Sequence, residues 1–248
     1  MDKLNLLPDE TLVDLNINNF KILQNKKLFC FGIDAVLLSD FAKIGKNDSV
    51  IDICSGNGIV AFLLLAKKKA SKVCAFEYLI KSCELIKKSA VINDCEDNIS
   101  VTCGDIKEIS KYYPPNSFDV VTVNPPYKKV GTGGQNPVFE KAVARHEIKC
   151  DLNDVINCAK YLLKPNGRLY MVHKPYRLCD IICTMRNNKI EPKTLRSVVN
   201  NPNDDCDLIL IEGVLGGKPD INFLKQLSIR DESGNYTKEI NDIYERKD

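Results

Sequence analysis

Asn124, Pro125, Pro126 and Tyr127 follow directly on the run Val120-Val121-Thr122-Val123. Val and Thr favour strands, and proline cannot donate to a sheet ladder, so the strand must stop where the prolines begin. An Asn-Pro pair also opens ordinary turns. The residue types allow more than a turn. An amino group on an aromatic ring is a weak nucleophile because its lone pair is delocalised. Two acceptors placed around such an amine favour a localised, more tetrahedral nitrogen, and the side-chain oxygen of Asn124 and the carbonyl of Pro125 are such acceptors. The prolines stiffen the backbone, and Tyr127 offers a face on which a planar group can stack. This chemistry is positioning plus electrostatics and needs no dedicated general base.

A second constellation lies upstream, in Asp52-Ile53-Cys54-Ser55-Gly56-Asn57-Gly58-Ile59-Val60-Ala61. Gly56 and Gly58 permit a tight turn and close backbone approach to a ligand. With Ala61 they also satisfy G-x-G-x-x-A, so a dinucleotide competes for this loop. Glu77 ends the next strand, where a carboxylate can accept from two ribose hydroxyls. Asp105 ends the one after, where it can hold an adenine amino group. Each residue taken singly also serves as a cap or turn former. Together they place a nucleoside site at four successive strand ends. Asp52 decides between cofactors, because a carboxylate beside the glycine turn repels a pyrophosphate and attracts a sulfonium or an α-ammonium. The expected cofactor is S-adenosyl-L-methionine, held by Asp52, Gly56, Gly58, Glu77, Asp105 and Asn124.

The elements that position these residues alternate. Strands are expected at 49–54, 72–77, 99–103, 118–123 and 168–173, and helices over 59–68, up to about 93, over 151–163 with Asp151 as cap, and over 175–187. Pro165-Asn166-Gly167 is expected to stop the third of these helices. Alternation at this spacing predicts an α/β fold, a doubly wound, seven-stranded, Rossmann-like parallel sheet with helices on both faces. Residues 194–199 and 207–214 have no helix between them and predict an antiparallel hairpin at the C-terminal edge. The expected organisation is an N-terminal extension at 1–45 folding over the cofactor as a lid, a catalytic domain at 46–224, and a polar, partly helical tail at 225–248.

The loop and the Asn-Pro-Pro-Tyr segment together resemble the class I S-adenosylmethionine-dependent amino methyltransferases, over roughly residues 30 to 215. That resemblance implies cofactor contacts at Gly56, Gly58, Glu77 and Asp105. Three further stretches are similar to the bacterial tRNA adenine-N6 methyltransferases. They are Phe29-Cys30-Phe31-Gly32-Ile33-Asp34-Ala35-Val36-Leu37-Leu38-Ser39, the segment from Gly167 to Arg177, and the segment from Ile229 to Thr237. The narrower resemblance implies methylation of adenine 37 in a valine tRNA, with Asn124, Pro125 and Tyr127 as the catalytic group.

Substrate contacts are expected from Tyr127 and from Lys128, Lys129 and Arg145, which border a long glycine-containing loop and suit phosphates. Lys174, Arg177, Arg186, Lys189, Lys193 and Arg196 form a basic cluster that serves either a folded RNA or merely a solvated face. Lys67-Lys68-Lys69 is explained by the dipole of the helix it ends. The only two histidines are His146 and His173, too few for histidine-based metal or triad chemistry, and no metal is expected. His173 either lines the pocket or caps its strand.

The formal net charge of +2 over 248 residues argues against indiscriminate polyanion binding. The 11 cysteines, odd in number and without a Cys-x-x-Cys pair, are expected as free thiols acting as small core hydrophobes in a cytoplasmic protein. Neither a membrane nor an obligate protein partner is expected. Rival readings are a protein glutamine methyltransferase or a ribosomal RNA amino methyltransferase using the same segment, a DNA adenine enzyme, an inactive RNA-binding module, and a nicotinamide-linked oxidoreductase. The glutamine enzymes normally carry a helical N-terminal domain, and only about 45 residues precede the first sheet strand here. The oxidoreductase leaves Asn-Pro-Pro-Tyr without a role.

Overall fold

The computed structural model describes residues 6–28, 30–127 and 150–245. An N-terminal hairpin of β1 (Glu10–Asp14) and β2 (Lys21–Asn25) leads to helix α1 (Ile33–Phe41). Strands and helices then alternate as β3 (Val50–Ile53), α2 (Ile59–Ala66), β4 (Val73–Glu77), α3 (Ile80–Ile92), β5 (Ile99–Cys103) and β6 (Phe118–Val123). Beyond residue 150 come α4 (Leu152–Leu162), β7 (Leu163–His173), α5 (Leu178–Asn187), β8 (Ile190–Val199), β9 (Leu208–Leu215), two-residue strands β10 (Asn222–Phe223) and β11 (Leu227–Ser228), and α6 (Lys238–Ile243).

The sheet runs in the order β10-β8-β9-β7-β6-β3-β4-β5, with β11 also on β8. The seven expected strands are β3 to β9, and the two short strands extend the edge to nine. β5, β4, β3, β6 and β7 are parallel, whereas β9 is antiparallel to both β7 and β8. The C-terminal hairpin therefore stands as expected. The chain leaves β3 toward β4 and β5 and later returns to lay β6 on its other side. The C-terminal ends of β3 and β6 thus flank the switch point, where open sheets of this kind form their crevice.

Alternation along the strands divides the core into two layers. Val50, Val120, Tyr170, Val172 and Leu210 pack with α1, α2 and α3 and with Ile240 and Ile243 of α6. Ile51, Val121, Leu169, Met171 and Ile211 pack with α4 and α5. Helix α2 reads Ile-Val-Ala-Phe-Leu-Leu-Leu-Ala and is buried on every side, as expected of a helix without a polar face. Asp151 caps α4 reciprocally. Its carboxylate accepts from the Asp154 amide at 2.9 Å, and Asp154 accepts from the Asp151 amide at 3.0 Å.

Several boundaries differ from the sequence expectation, each for a local reason. Pro165-Asn166-Gly167 does not separate helix from strand but lies inside β7, because the β6–β7 ladder slips between the Phe118–Leu163 and Val120–Arg168 pairs. β8 begins at Ile190 rather than Thr194, and Pro192 is accommodated where the β8–β9 register shifts. Residues 175–177 form a tighter turn, with the α-helix starting at Leu178.

Lys69 does not act on its own helix. Its ammonium donates to the carbonyls of Ser39 at 3.0 Å and Ala42 at 3.3 Å and to that of Asp40, satisfying the C-terminal end of α1. All 11 cysteines are free, but Cys30, Cys103, Cys179 and Cys183 are exposed and so are not core residues. Among the described residues no helix is long and apolar enough to cross a membrane.

Candidate functional site

The parallel register places Asp52 of β3 opposite Thr122 of β6. The Thr122 hydroxyl donates to Asp52 Oδ1 at 2.7 Å, and the Ser55 hydroxyl donates to Oδ2 at 2.5 Å. Asp52 is 1% exposed. Burial, reinforced by the nearby Glu77 carboxylate, raises its pKa to about 7 against the pull of the two hydroxyls. Asp52 is thus a satisfied acid in the floor of the crevice rather than an exposed anion.

From Ser55 the chain turns sharply. Gly56 and Gly58 have φ values of +58° and +85°, conformations that suit glycine. A Cβ on Gly56 would meet nothing within 4 Å, whereas one on Gly58 would press on Ile86 and Phe62 at 3.0–3.1 Å. Gly56 lines the cavity, and Gly58 lies behind it as a packing residue at the start of α2. A direct contact of Gly58 with a cofactor is not what its position provides. The Asn57 side chain donates to the Leu23 carbonyl at 3.3 Å and pins the loop to the N-terminal hairpin.

Glu77 ends β4 beside this turn. Its carboxylate accepts from the Gly56 amide and from the Leu79 amide, both at 2.8 Å. Burial raises its pKa, opposed by these backbone amides. The Gly56 amide that a pyrophosphate would need is already given to a carboxylate, which argues against a dinucleotide. Asp105 follows β5, accepts from the Lys107 amide at 3.0 Å and is half-buried at the cavity wall.

Asn124, Pro125 and Tyr127 follow β6. The Tyr127 hydroxyl lies 2.5 Å from Asn124 Oδ1 and 2.8 Å from Asp34 Oδ2. Its pKa is raised by burial and by the Asp34 carboxylate. The Tyr127 ring centroid is 5.0 Å from that of His173, so the partly buried ring is braced against the core at the cavity wall. His173 is buried, does not line the cavity and accepts from the Lys174 amide through Nδ1 at 2.8 Å. Burial and the Arg177 cation lower its pKa to about 4.

One cavity of about 440 Å³ takes in Asp52, Gly56, Glu77, Asp105, Asn124, Pro125 and Tyr127, within the range of small-ligand sites. The structure thus brings together seven of the eight expected cofactor and catalytic residues. Lys128, Lys129 and Arg145, like His146, lie outside the described residues. The sequence reading missed Phe31, Tyr176 and Cys150, which also line the cavity. Phe31 comes from the N-terminal segment, the contact a lid would make. Tyr176 is 66% exposed and donates to the Tyr127 carbonyl at 2.8 Å. Tyr176 lies inside the segment from Gly167 to Arg177 that carries the resemblance, and that was the available signal.

The basic cluster is largely paired. Lys174 meets Asp207 at 2.5 Å, Arg177 meets Asp180 at 2.9 Å, Arg186 meets Glu191 at 3.2 Å and Arg196 meets Glu239 at 2.6 Å. Neutralised in this way, these four residues make a poor field for RNA.

The family model described as "Methyltransferase small domain" matches residues 32–182, which contain both the glycine turn and Asn124–Tyr127. The chain belongs to this methyltransferase family. Its cofactor is S-adenosyl-L-methionine. The donor set fits that molecule. The described cavity residues carry three carboxylates, and their one cation, Lys174, is paired with Asp207. A site lined by acids, with its one described cation already paired, suits a sulfonium and an α-ammonium and opposes a polyphosphate.

A relative of this methyltransferase is the tRNA1(Val) (adenine(37)-N6)-methyltransferase of Aeromonas hydrophila. It is 24% identical over 181 residues, 73% of this chain and 74% of that one. A predicted O-methyltransferase from Agrobacterium tumefaciens shares the fold, with a TM-score of 0.70 at 19% identity, over 86% of this chain and 95% of that one. The geranyl diphosphate C-methyltransferase of Streptomyces coelicolor, solved with S-adenosyl-L-homocysteine, aligns at a TM-score of 0.52 and 12% identity. That alignment covers 73% of this chain and 78% of the other.

Proposed function

We propose that this methyltransferase transfers a methyl group to the exocyclic N6 of an adenine in tRNA, with adenine 37 of a valine tRNA as its target. The observation that carries the reading is the placement of Asn124, Pro125 and Tyr127 in the same cavity as Glu77 and Asp105. The name of the Aeromonas relative supports it.

When bound, S-adenosylmethionine supplies an electrophilic methyl group. The chain supplies everything else. Glu77 would still have lone-pair capacity for a ribose hydroxyl beyond that taken by the backbone amides of Gly56, Tyr78 and Leu79. Asp105 would accept from the cofactor's adenine amine, Gly56 would let the backbone approach, and Asp52 would help hold the cofactor's charged end. Asn124 Oδ1 and the Pro125 carbonyl accept the two N6 hydrogens of a target base flipped out of its loop. The Tyr127 ring borders that base. The N6 lone pair that these acceptors hold in place would receive the methyl group from the bound cofactor, which leaves as a neutral thioether, and one N6 proton would pass to water. Lys128, Lys129 and Arg145 are assigned to RNA phosphates.

The test is transfer from labelled cofactor into bacterial RNA lacking its native modifications, with digested nucleosides identified by mass spectrometry. N6-methyladenosine in the tRNA fraction is expected. Asn124→Ala is expected to lower the rate about 100-fold or more. Label in a protein glutamine and none in RNA would overturn the reading.

A further inference from the structure

Asp34, Tyr127 and Asn124 form a chain of polar groups with an unresolved sense of direction. The Tyr127 hydroxyl has one proton and two acceptors, Asp34 Oδ2 at 2.8 Å and Asn124 Oδ1 at 2.5 Å, so it donates to one of them only. Asp34 is 8% exposed and sits in the first turn of α1, 93 residues away in sequence. Its other oxygen accepts from the Ala35 amide at 2.9 Å. Bonds to a carboxylate are about twice as strong as neutral ones, so the tyrosine proton belongs to Asp34. The tyrosine oxygen is then an acceptor.

An asparagine amide presents oxygen and nitrogen in nearly the same space, and its orientation follows the hydrogen-bond network. With Tyr127 donating to Asp34, two oxygens would face each other without a proton between them, and a half-turn of the Asn124 amide brings its NH₂ to the tyrosine oxygen in place of Oδ1. Its Oδ1 is thereby turned away from Tyr127 and is free to accept from an amine. Were Asp34 uncharged, the tyrosine proton would go to Asn124 Oδ1 and occupy the acceptor that the reaction needs.

We propose that Asp34 is a positioning residue that orients the Asn124 amide through the Tyr127 hydroxyl, so that Oδ1 faces the substrate amine. The proposal rests on the adenine-N6 reading of the site. It makes an unusual demand: loss of the hydroxyl must relieve the loss of the carboxylate.

The test is a double-mutant cycle of Asp34→Asn and Tyr127→Phe, with single-turnover transfer to tRNA and cofactor affinity measured for each protein. Asp34→Asn is expected to slow transfer about 30- to 100-fold, corresponding to loss of one aligned acceptor, with cofactor affinity within twofold of wild type. In the Tyr127→Phe background the same change is expected to cost less than threefold, because no hydroxyl remains to block Asn124. An undiminished Asp34→Asn effect in that background overturns the proposal. Asp34→Ser, neutral and smaller, is carried in parallel. Failure of both Asp34 variants to fold while Tyr127→Phe folds also overturns it, since Asp34 would then serve α1 alone. The wild-type product separates the two levels: no N6-methyladenosine from wild type refutes the function, whereas a wild-type product with an additive cycle refutes only the role of Asp34.

Discussion

The carboxylate of Asp52 and the hydroxyl of Thr122 meet at 2.7 Å because parallel strands β3 and β6 bring the two residues into the same register. Ser55 completes the cage at 2.5 Å. The hydroxyls favour the charged form, but burial and the nearby Glu77 carboxylate outweigh them, and so the acid keeps its proton to about pH 7.

That proton makes a first prediction. The Asp52 carboxyl titrates near 3.8 in the unfolded chain and near 7 in the fold. A raised folded pKa gives stability that is fully present below about pH 4 and is lost as pH rises through 7. Asp52→Asn removes this dependence. The variant's stability relative to wild type is expected to rise between pH 4 and 8 and then level off. The change is on the order of 4 kcal/mol at most. Urea unfolding at each pH measures it, and a difference independent of pH would refute the protonated acid.

His173 gives the opposite slope. Its pKa falls from 6.5 to about 4 through burial and the Arg177 cation. The unfolded chain takes up the proton first as pH falls, so stability is lost from pH 6.5 down to 4. His173→Phe is expected to abolish this acid-side loss, roughly 3 kcal/mol. The check is the slope of unfolding free energy against pH over that interval. An unchanged slope would place the neutral histidine in doubt.

Gly56 and Gly58 should separate under mutation although both have positive φ. Gly58→Ala adds a methyl against Ile86 and Phe62, and with its left-handed backbone is expected to cost about 2–4 kcal/mol of stability. Gly56→Ala meets open space and is expected to cost only about 1 kcal/mol. Its methyl lies at the cavity wall, so it should weaken cofactor binding more than Gly58→Ala does. Thermal unfolding and titration calorimetry on both variants decide this. Equal stability losses would mean that the two glycines share one role.

Much of this arrangement was legible in the chain. The β-branched run before Asn124 announced a strand that prolines must end. Glu77 and Asp105 stood at the ends of two further runs, and alternation of strand and helix required those ends to share one edge. Other features escaped because their signals were absent or misleading. Pro165-Asn166-Gly167 has the composition of a turn, and only pairing with β6 draws it into a bulged strand. Lys69 stands at the end of its own helix, yet its partners are the carbonyls that close α1. The basic cluster looked free in sequence because Asp207, Glu191 and Glu239 lie outside any helical spacing from their partners.

The sequence by itself determined which residues stand at the strand ends, since side-chain periodicity and proline's missing amide are local properties of the backbone. Tertiary structure alone decided their hydrogen-bond partners. Asp52 finds Thr122 across 70 residues, and Tyr127 finds Asp34 across 93. Such pairs depend on sheet register and on how a helix docks against the sheet, and these are set by packing of the whole core. The same carboxylate is an exposed anion or a buried acid according to that packing.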